Sequence, residues 1–417
     1  DGAAMGEATI GLASESGRVG LYTETPTAFD DFRVEGALES PGAPVERIEG
    51  KPRAALQFAQ WQPDPLQPGE AIAVRGQAHL YVRNTGDGPL ILEGASWNGE
   101  DAAALVTAGR LAWYHQHPYR IEPGEVGRVS FRVQGISERE ALALMADPQM
   151  TVNVPVQLRY RQAEPLQCSA TLDAQGEPLQ INLLTFDREL RTIHAYLQSN
   201  RPAAFDLTRV EVNGRDVTAH TRFASRTVGG QVVPLRISLD TPLVPGRHVT
   251  VTVATEQGAS CGHCVRAFAS EFPIQVCLFD LIRADAFEDI YQHCFTCVAG
   301  REPEHFAKLR ELGLDLFVFG GGLERLLAYD RPDLPRVVAF WNDELDERPV
   351  AETVLRFAEE EEYYRAEGRY PPAQMINLCN PWNATGIGFL DLLDVVCHGY
   401  GMAGAANGRD FPLLSSL

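Results

Sequence analysis

The chain has 417 residues, room for two to four domains with separate cores, and its 45% apolar and 22% charged shares are those of a globular protein rather than a disordered one. A formal charge of −20 argues against a nucleic-acid backbone or an anionic membrane as partner. No run of about 18 apolar residues is present, so no membrane span is expected.

Residues 1–40 come first. Alternating apolar positions Val19, Leu21, Tyr22 and Phe29, Phe32, Val34 flank a Thr/Pro-rich turn, a strand–loop–strand pattern. The run "GRVGLY…FDDFRV" resembles the closing strands of concanavalin- or laminin-G-like jelly rolls. That resemblance implies the C-terminal strands of such a domain at residues 1–40, a module that often accompanies carbohydrate-active ones. The chain is thus expected to begin inside one folded unit. Residues 41–75 are rich in Pro, Gly and Gln and predict a linker.

Short strands with regular turn signals and no helical period follow over 76–162, which predicts an antiparallel sandwich. The segment Asn84-Thr85-Gly86-Asp87-Gly88 supplies turn chemistry, and "VRNTGDGPLIL" resembles immunoglobulin-like modules of bacterial surface proteins. Residues 163–260 repeat the theme, with Asn213-Gly214 as a hairpin signal, giving a second immunoglobulin-like sandwich.

From 268 to 417 six apolar strand candidates alternate with helical segments. This predicts an incomplete (β/α)8 barrel lacking its last two units, with an open doubly wound sheet as the other arrangement. The fold class expected overall is multi-domain β plus α/β. No G-x-G-x-x-G follows the first of these strands, and no cofactor is implied.

Reactive residues of parallel α/β folds sit at the carboxyl ends of strands. The fourth strand ends in "WNDELDE", which resembles the strand-four end of barrel glycosidases. The resemblance implies Glu344 as proton donor, Asp343 as second candidate and Asn342 beside the substrate. A partly desolvated carboxyl group there could protonate a leaving oxygen. The other reading is a solvated acidic loop capping the next helix. Asn380 and Trp382 after strand five, and His398 and Tyr400 at strand six, are candidate sugar-binding residues; a Trp face beside amides suits a polysaccharide or glycan.

Cys261-Gly-His-Cys264 and Cys294-Phe-Thr-Cys297 tempt a zinc reading, but Cys294 and Cys297 in a strand would face opposite ways. No metal site is expected; a disulfide between the two pairs is the preferred alternative in an exported protein. His115 and His117 share one strand face as a potential metal pair without an evident third ligand. Trp97 and Trp113 are expected in the core. The Glu359–Glu362 run is expected on the wet face of a helix.

Together these features predict an extracellular or cell-surface, carbohydrate-active protein, a glycoside hydrolase whose barrel is incomplete. The alternative is a non-enzymatic structural or assembly protein whose sandwiches make subunit contacts, including homo-oligomeric ones.

Overall fold

The structure is a computed structural model that describes residues 48–64, 75–135, 151–173, 176–202, 204–223, 230–269, 275–276, 286–299, 305–319, 323–343, 350–378 and 395–398. The chain divides into Asp1–Ile48 and a compact unit, Glu49–Leu417, which contains every element named below. The jelly-roll expectation falls on residues 1–40, outside the described residues.

The first sandwich contains β1 (Ala54–Pro63), β2 (Gly76–Asn84), β3 (Leu90–Trp97), β4 (Glu100–Asp101), α1 (Ala102–Thr107), β5 (Leu111–His117), β6 (Arg120–Ile121), β7 (Val126–Val133), β8 (Val152–Tyr160) and β9 (Leu166–Leu172). One sheet runs β1-β2-β7-β5 and the other β4-β3-β8-β9, with β6 beside β3. Alternate residues of the two inner faces, among them Leu80, Val82 and Phe131 against Ala95, Val156 and Leu158, form one core. Trp97 packs tilted against Phe131 with ring centroids 5.1 Å apart, and Trp113 is 1% exposed, so both are core residues.

Two expected boundaries shift. Residues 54–63, inside the expected linker, pair with β2 along their whole length. Their Gln/Pro composition hides an apolar set: Leu56 and Ala59 pack on the core, and Trp61 is 2% exposed with its indole N–H donating to the Asp173 carbonyl at 3.1 Å. At the other end β9, expected to open the second sandwich, pairs with β8 and closes the first.

The second sandwich holds β10 (Leu179–Phe186), β11 (Thr192–Ser199), β12 (Leu207–Val212), β13 (Arg215–Asp216), β14 (Thr221–Arg222), β15 (Val232–Ser238), β16 (His248–Thr255) and β17 (Ser260–Arg266). Its sheets run β10-β11-β15-β14 and β13-β12-β16-β17 around a single apolar core. Asn213 and Gly214 both have positive φ, 49° and 82°, as a type I′ turn requires. The Asn213 side chain also accepts from the Thr250 N–H at 2.8 Å, tying the hairpin to β16.

The sandwiches touch through Arg83, whose Nη2 pairs with Glu211 at 2.8 Å and whose Nη1 donates to the Gly214 carbonyl at 2.9 Å. Nearby, a Cβ placed on Gly262 would stand 2.5 Å from the ring of Tyr81, itself fully buried. Only glycine lets β17 approach so closely.

The third part comprises β18 (Gln275–Val276), α2 (Ala286–Gln292), β19 (Cys297–Ala299), α3 (Phe306–Leu312), β20 (Asp315–Phe319), α4 (Leu323–Tyr329), β21 (Val337–Asp343), α5 (Val350–Ala366), β22 (Ala373–Leu378) and β23 (Val395–His398). All six strands pair in parallel and in chain order. Each therefore lies beside its sequence predecessor, unlike the order reversal of a doubly wound sheet. The described strands form an open sheet, and closure into a barrel is not seen among them. The chain is thus β-rich and multi-domain: antiparallel sandwiches followed by a parallel α/β sheet.

Candidate functional site

The residues expected at strand ends are not assembled into a site among the described residues. Glu344, Asn380, Trp382 and Tyr400 lie outside them, and Asp343 and His398 are described only as the final residues of β21 and β23. Asn342 is well placed, and its surroundings differ from those of a sugar-binding amide. It is 1% exposed, and its Nδ2 donates to Gln374 Oε1 at 2.8 Å while its Oδ1 accepts from Arg356 at 2.5 Å. Gln374 Nε2 then donates to Glu360 Oε2 at 2.7 Å, and the Glu360 carboxylate faces the Arg356 guanidinium as an ion pair at 3.5 Å, beyond hydrogen-bond reach. These four side chains close a ring that pins α5 to β21 and β22. Asn342 is committed to holding a helix.

Next to this ring α5 packs against β5, and here lies an open pocket of ≈410 Å³ whose wall Glu360 and Gln374 share. Its wall includes His115 and His117 from β5, His248 from β16, Arg266 from β17, and Phe357 and Glu361 from α5. The strand spacing of His115 and His117 puts both rings on one face, edge to face with centroids 4.4 Å apart. The His248 ring lies 5.5 Å from that of His117, and its Nδ1 is 3.5 Å from Glu361 Oε1, too long for a hydrogen bond. The Tyr119 N–H donates to Glu361 at 3.1 Å and orients the carboxylate. Arg266 donates to the carbonyls of Pro371 and Pro372 at 3.0 and 3.1 Å, lashing β17 to the segment before β22.

Protonation states follow from this geometry. Burial pushes His115 down to about 4, although the Glu361 charge pulls the other way. Burial pushes His117 well below the ordinary imidazole value, helped by the charges of His115, Arg128, His248 and His79. For Glu361 burial opposes ionisation, but the facing His248, with His115 and Arg266 behind it, outweighs burial and holds the carboxyl below its ordinary value. Buried His117 Nε2 and His248 Nδ1 have no hydrogen-bond partner among the described residues. At neutral pH the pocket therefore presents the Glu361 carboxylate, the neutral imidazoles of His115 and His117 and a fixed guanidinium. It can form hydrogen bonds and take up protons. Among the described residues no three His, Cys, Asp or Glu side chains are arranged to hold one metal ion.

His115 and His117 were recognisable from their spacing; His248, Arg266 and Glu361 were not, because they arrive from distant segments. The Glu359–Glu362 run is not simply a wet face, since Glu360 is 1% exposed and Glu361 lines the pocket. The reason is that α5 is covered on two sides, by the sheet and by β5.

The cysteine expectations also change. Cys261, Cys264, Cys294 and Cys297 are free thiols, so the anticipated disulfide is not formed. Cys294 precedes β19 with φ of 63° rather than lying in the strand. Cys261 enters the second sandwich's core, whereas Cys264 meets Thr250 and the His117 carbonyl. Opposite faces of one strand cannot share an ion.

No protein family matches the chain, and no curated protein does. Among solved structures, the archaellum periplasmic stator protein FlaG from Sulfolobus acidocaldarius is 21% identical over 21% of this chain and 97% of its own, with a TM-score of 0.19. The N-terminal Ig1-2 module of the Drosophila receptor protein tyrosine phosphatase DLAR is 13% identical over 52% of this chain and 98% of its own, at 0.23. The Bacteroides ovatus mixed-linkage glucan utilization locus protein SGBP-B, solved with a mixed-linkage heptasaccharide, is 8% identical over 52% and 64%, at 0.16. All three scores lie far below that of a shared overall fold.

Proposed function

We propose that this chain is a non-enzymatic structural part of an extracellular or cell-surface assembly, with its immunoglobulin-like sandwiches as contact modules. The observation that carries this reading is the outer edge of the second sandwich. β15 pairs with β11 over seven residues, and among the described residues its other side pairs with Thr221 and Arg222 of β14 alone. Its outward residues include Val232, 49% exposed, and the same sheet exposes Leu183 at 44%. A partly open strand edge beside exposed apolar side chains suits association by strand addition or face contact. Light scattering over a concentration series tests this: self-association that weakens in Val232→Lys with Leu183→Lys supports it. A monomer at all concentrations, with no change in the variant, removes the homo-oligomeric form.

One observation favours the hydrolase reading as a second possibility: the sequential parallel strand order, which a singly wound (β/α)8 barrel also has. In that reading Glu344 is the proton donor, supported by Asp343, with Asn380, Trp382, His398 and Tyr400 lining a glycan site. The test is hydrolysis of polysaccharides by the full chain and by Glu344→Gln. Equal turnover in the two proteins would take Glu344 out of the mechanism.

A further inference from the structure

The pocket joins three parts of the molecule, and polar side chains outnumber Val354, Phe357 and Pro371 in its wall. His115, His117 and His248 all stand on the sandwich side, whereas Glu360 and Glu361 stand on the α/β side, on α5. We propose that this junction is an acid-released joint, in which protons taken up by His115 and His117 part helix α5 from β5 while both sandwiches stay folded.

The charges around the histidines set the direction. Arg128 on β7 and Arg266 on β17 are already positive, and the rings of His79 on β2 and His248 on β16 stand near them. The negative groups within reach are on α5, and Glu360 is engaged by Gln374 and Arg356. Farther out, Glu362 pairs with Arg365, Glu125 with Arg247, and Glu122 with Arg120. Among the described residues, Glu361 alone remains to face added positive charge, and it weakens once it protonates in turn.

Opening would let the imidazoles return toward about 6.5, so each pH unit below that value favours the open form about tenfold per histidine. With His115 at about 4 in the closed joint, that residue alone shifts the equilibrium roughly 160-fold by pH 4. Among the described residues, what must break includes the contacts of α5 with β5, the Tyr119–Glu361 bond, the two Arg266–proline bonds and the packing of Gly246 against Tyr370 and Pro371. The ring through Asn342 keeps α5 on its own sheet, and the sandwich cores are apolar and separate.

The full chain tests this by small-angle scattering and far-UV circular dichroism between pH 7.5 and 4. The expected result is a rise in radius of gyration between pH 6.5 and 4 while the strand signal holds. His115→Gln and His117→Gln should each reduce the steepness by about one proton, and His194→Gln on β11 should titrate like the wild type. Should His117→Gln fail to fold, His115→Gln alone carries the comparison, since its ring borders the open pocket. A radius unchanged down to pH 4, loss of the strand signal together with expansion, or a His115→Gln curve that overlays the wild type overturns the proposal.

Discussion

Helix α5 takes part in two polar clusters that meet at one pocket, since Glu360 and Gln374 line it together with the histidines, and the two differ in kind. Toward the sheet, Asn342, Gln374, Glu360 and Arg356 close a ring in which each side chain meets the next. Toward β5, His117 Nε2 and His248 Nδ1 are buried without a hydrogen-bond partner among the described residues. A buried network joined by several short bonds specifies one geometry, and losing a member strands the rest. An unsatisfied cluster contributes little in its resting state and responds when a proton arrives. The lesson is that burial of polar groups says less than whether their bonds are complete.

The sharpest way to break this contrast is on the ring. Glu360→Ala should cost about 3 kcal/mol in chemical denaturation, because the Arg356 guanidinium and the Gln374 amide lose a buried acceptor. A loss under about 1 kcal/mol would make the ring no more than a surface contact.

The next effect is on the pocket side and depends on pH. The closed-state value of His115, about 4, lies below that of an unfolded imidazole, so the unfolded chain takes the proton first. Its contribution is whole above about pH 6.5 and falls by about 1.4 kcal/mol per unit toward pH 4. Glu361, held below its ordinary value, adds loss in the same direction at still lower pH. Denaturation midpoints that stay flat between pH 6.5 and 4.5 would contradict this.

Away from both clusters, Gly262→Val should cost about 2 kcal/mol, because the added carbons meet the buried Tyr81 ring where the sandwiches touch. Thermal unfolding of the variant beside the wild type measures it. A pH effect of opposite sign serves as an internal control. Glu177, beside the Trp61 N–H, is pushed up to about 7 by burial. It therefore favours folding below about pH 4.5, and that contribution is lost as pH rises to 7. Glu177→Gln should raise stability at pH 8 by about 1 kcal/mol and leave it unchanged at pH 4. Smallest of all, His117→Phe at pH 7.5 should stay within about 1 kcal/mol of wild type, since its Nε2 has no bond to lose.

Much of the architecture was legible in the sequence. The six strands of the parallel sheet stand where apolar runs placed them, and the Asn213-Gly214 hairpin has the backbone its residues demand. β1 was obscured because Gln and Pro mask its alternation, and because half of its apolar content is Ala54, Ala55 and Ala59. The site was only partly legible. Strand periodicity puts His115 beside His117, but nothing local in "GRHVTV" or in the acidic run of α5 signals that His248 and Glu361 meet them. Such a pocket is a product of tertiary contact between three parts of the chain. Asn342 shows the converse: a strand-end position invites a substrate-binding role, while the neighbouring helix claims its amide.

The chain-order pairing of β18 through β23 also bears on synthesis. Each strand docks on the one made just before it, so the sheet can grow during translation without waiting for a distant partner. The first sandwich cannot, since β2 lies against β7, and that pairing awaits some 50 further residues, Asn84 of β2 coming well before Val133 of β7. Low contact order favours rapid folding, so a ribosome would deliver the slow-folding half first and the fast one last. The sandwiches have the longer head start, and α5 reaches a β5 surface already formed to receive it.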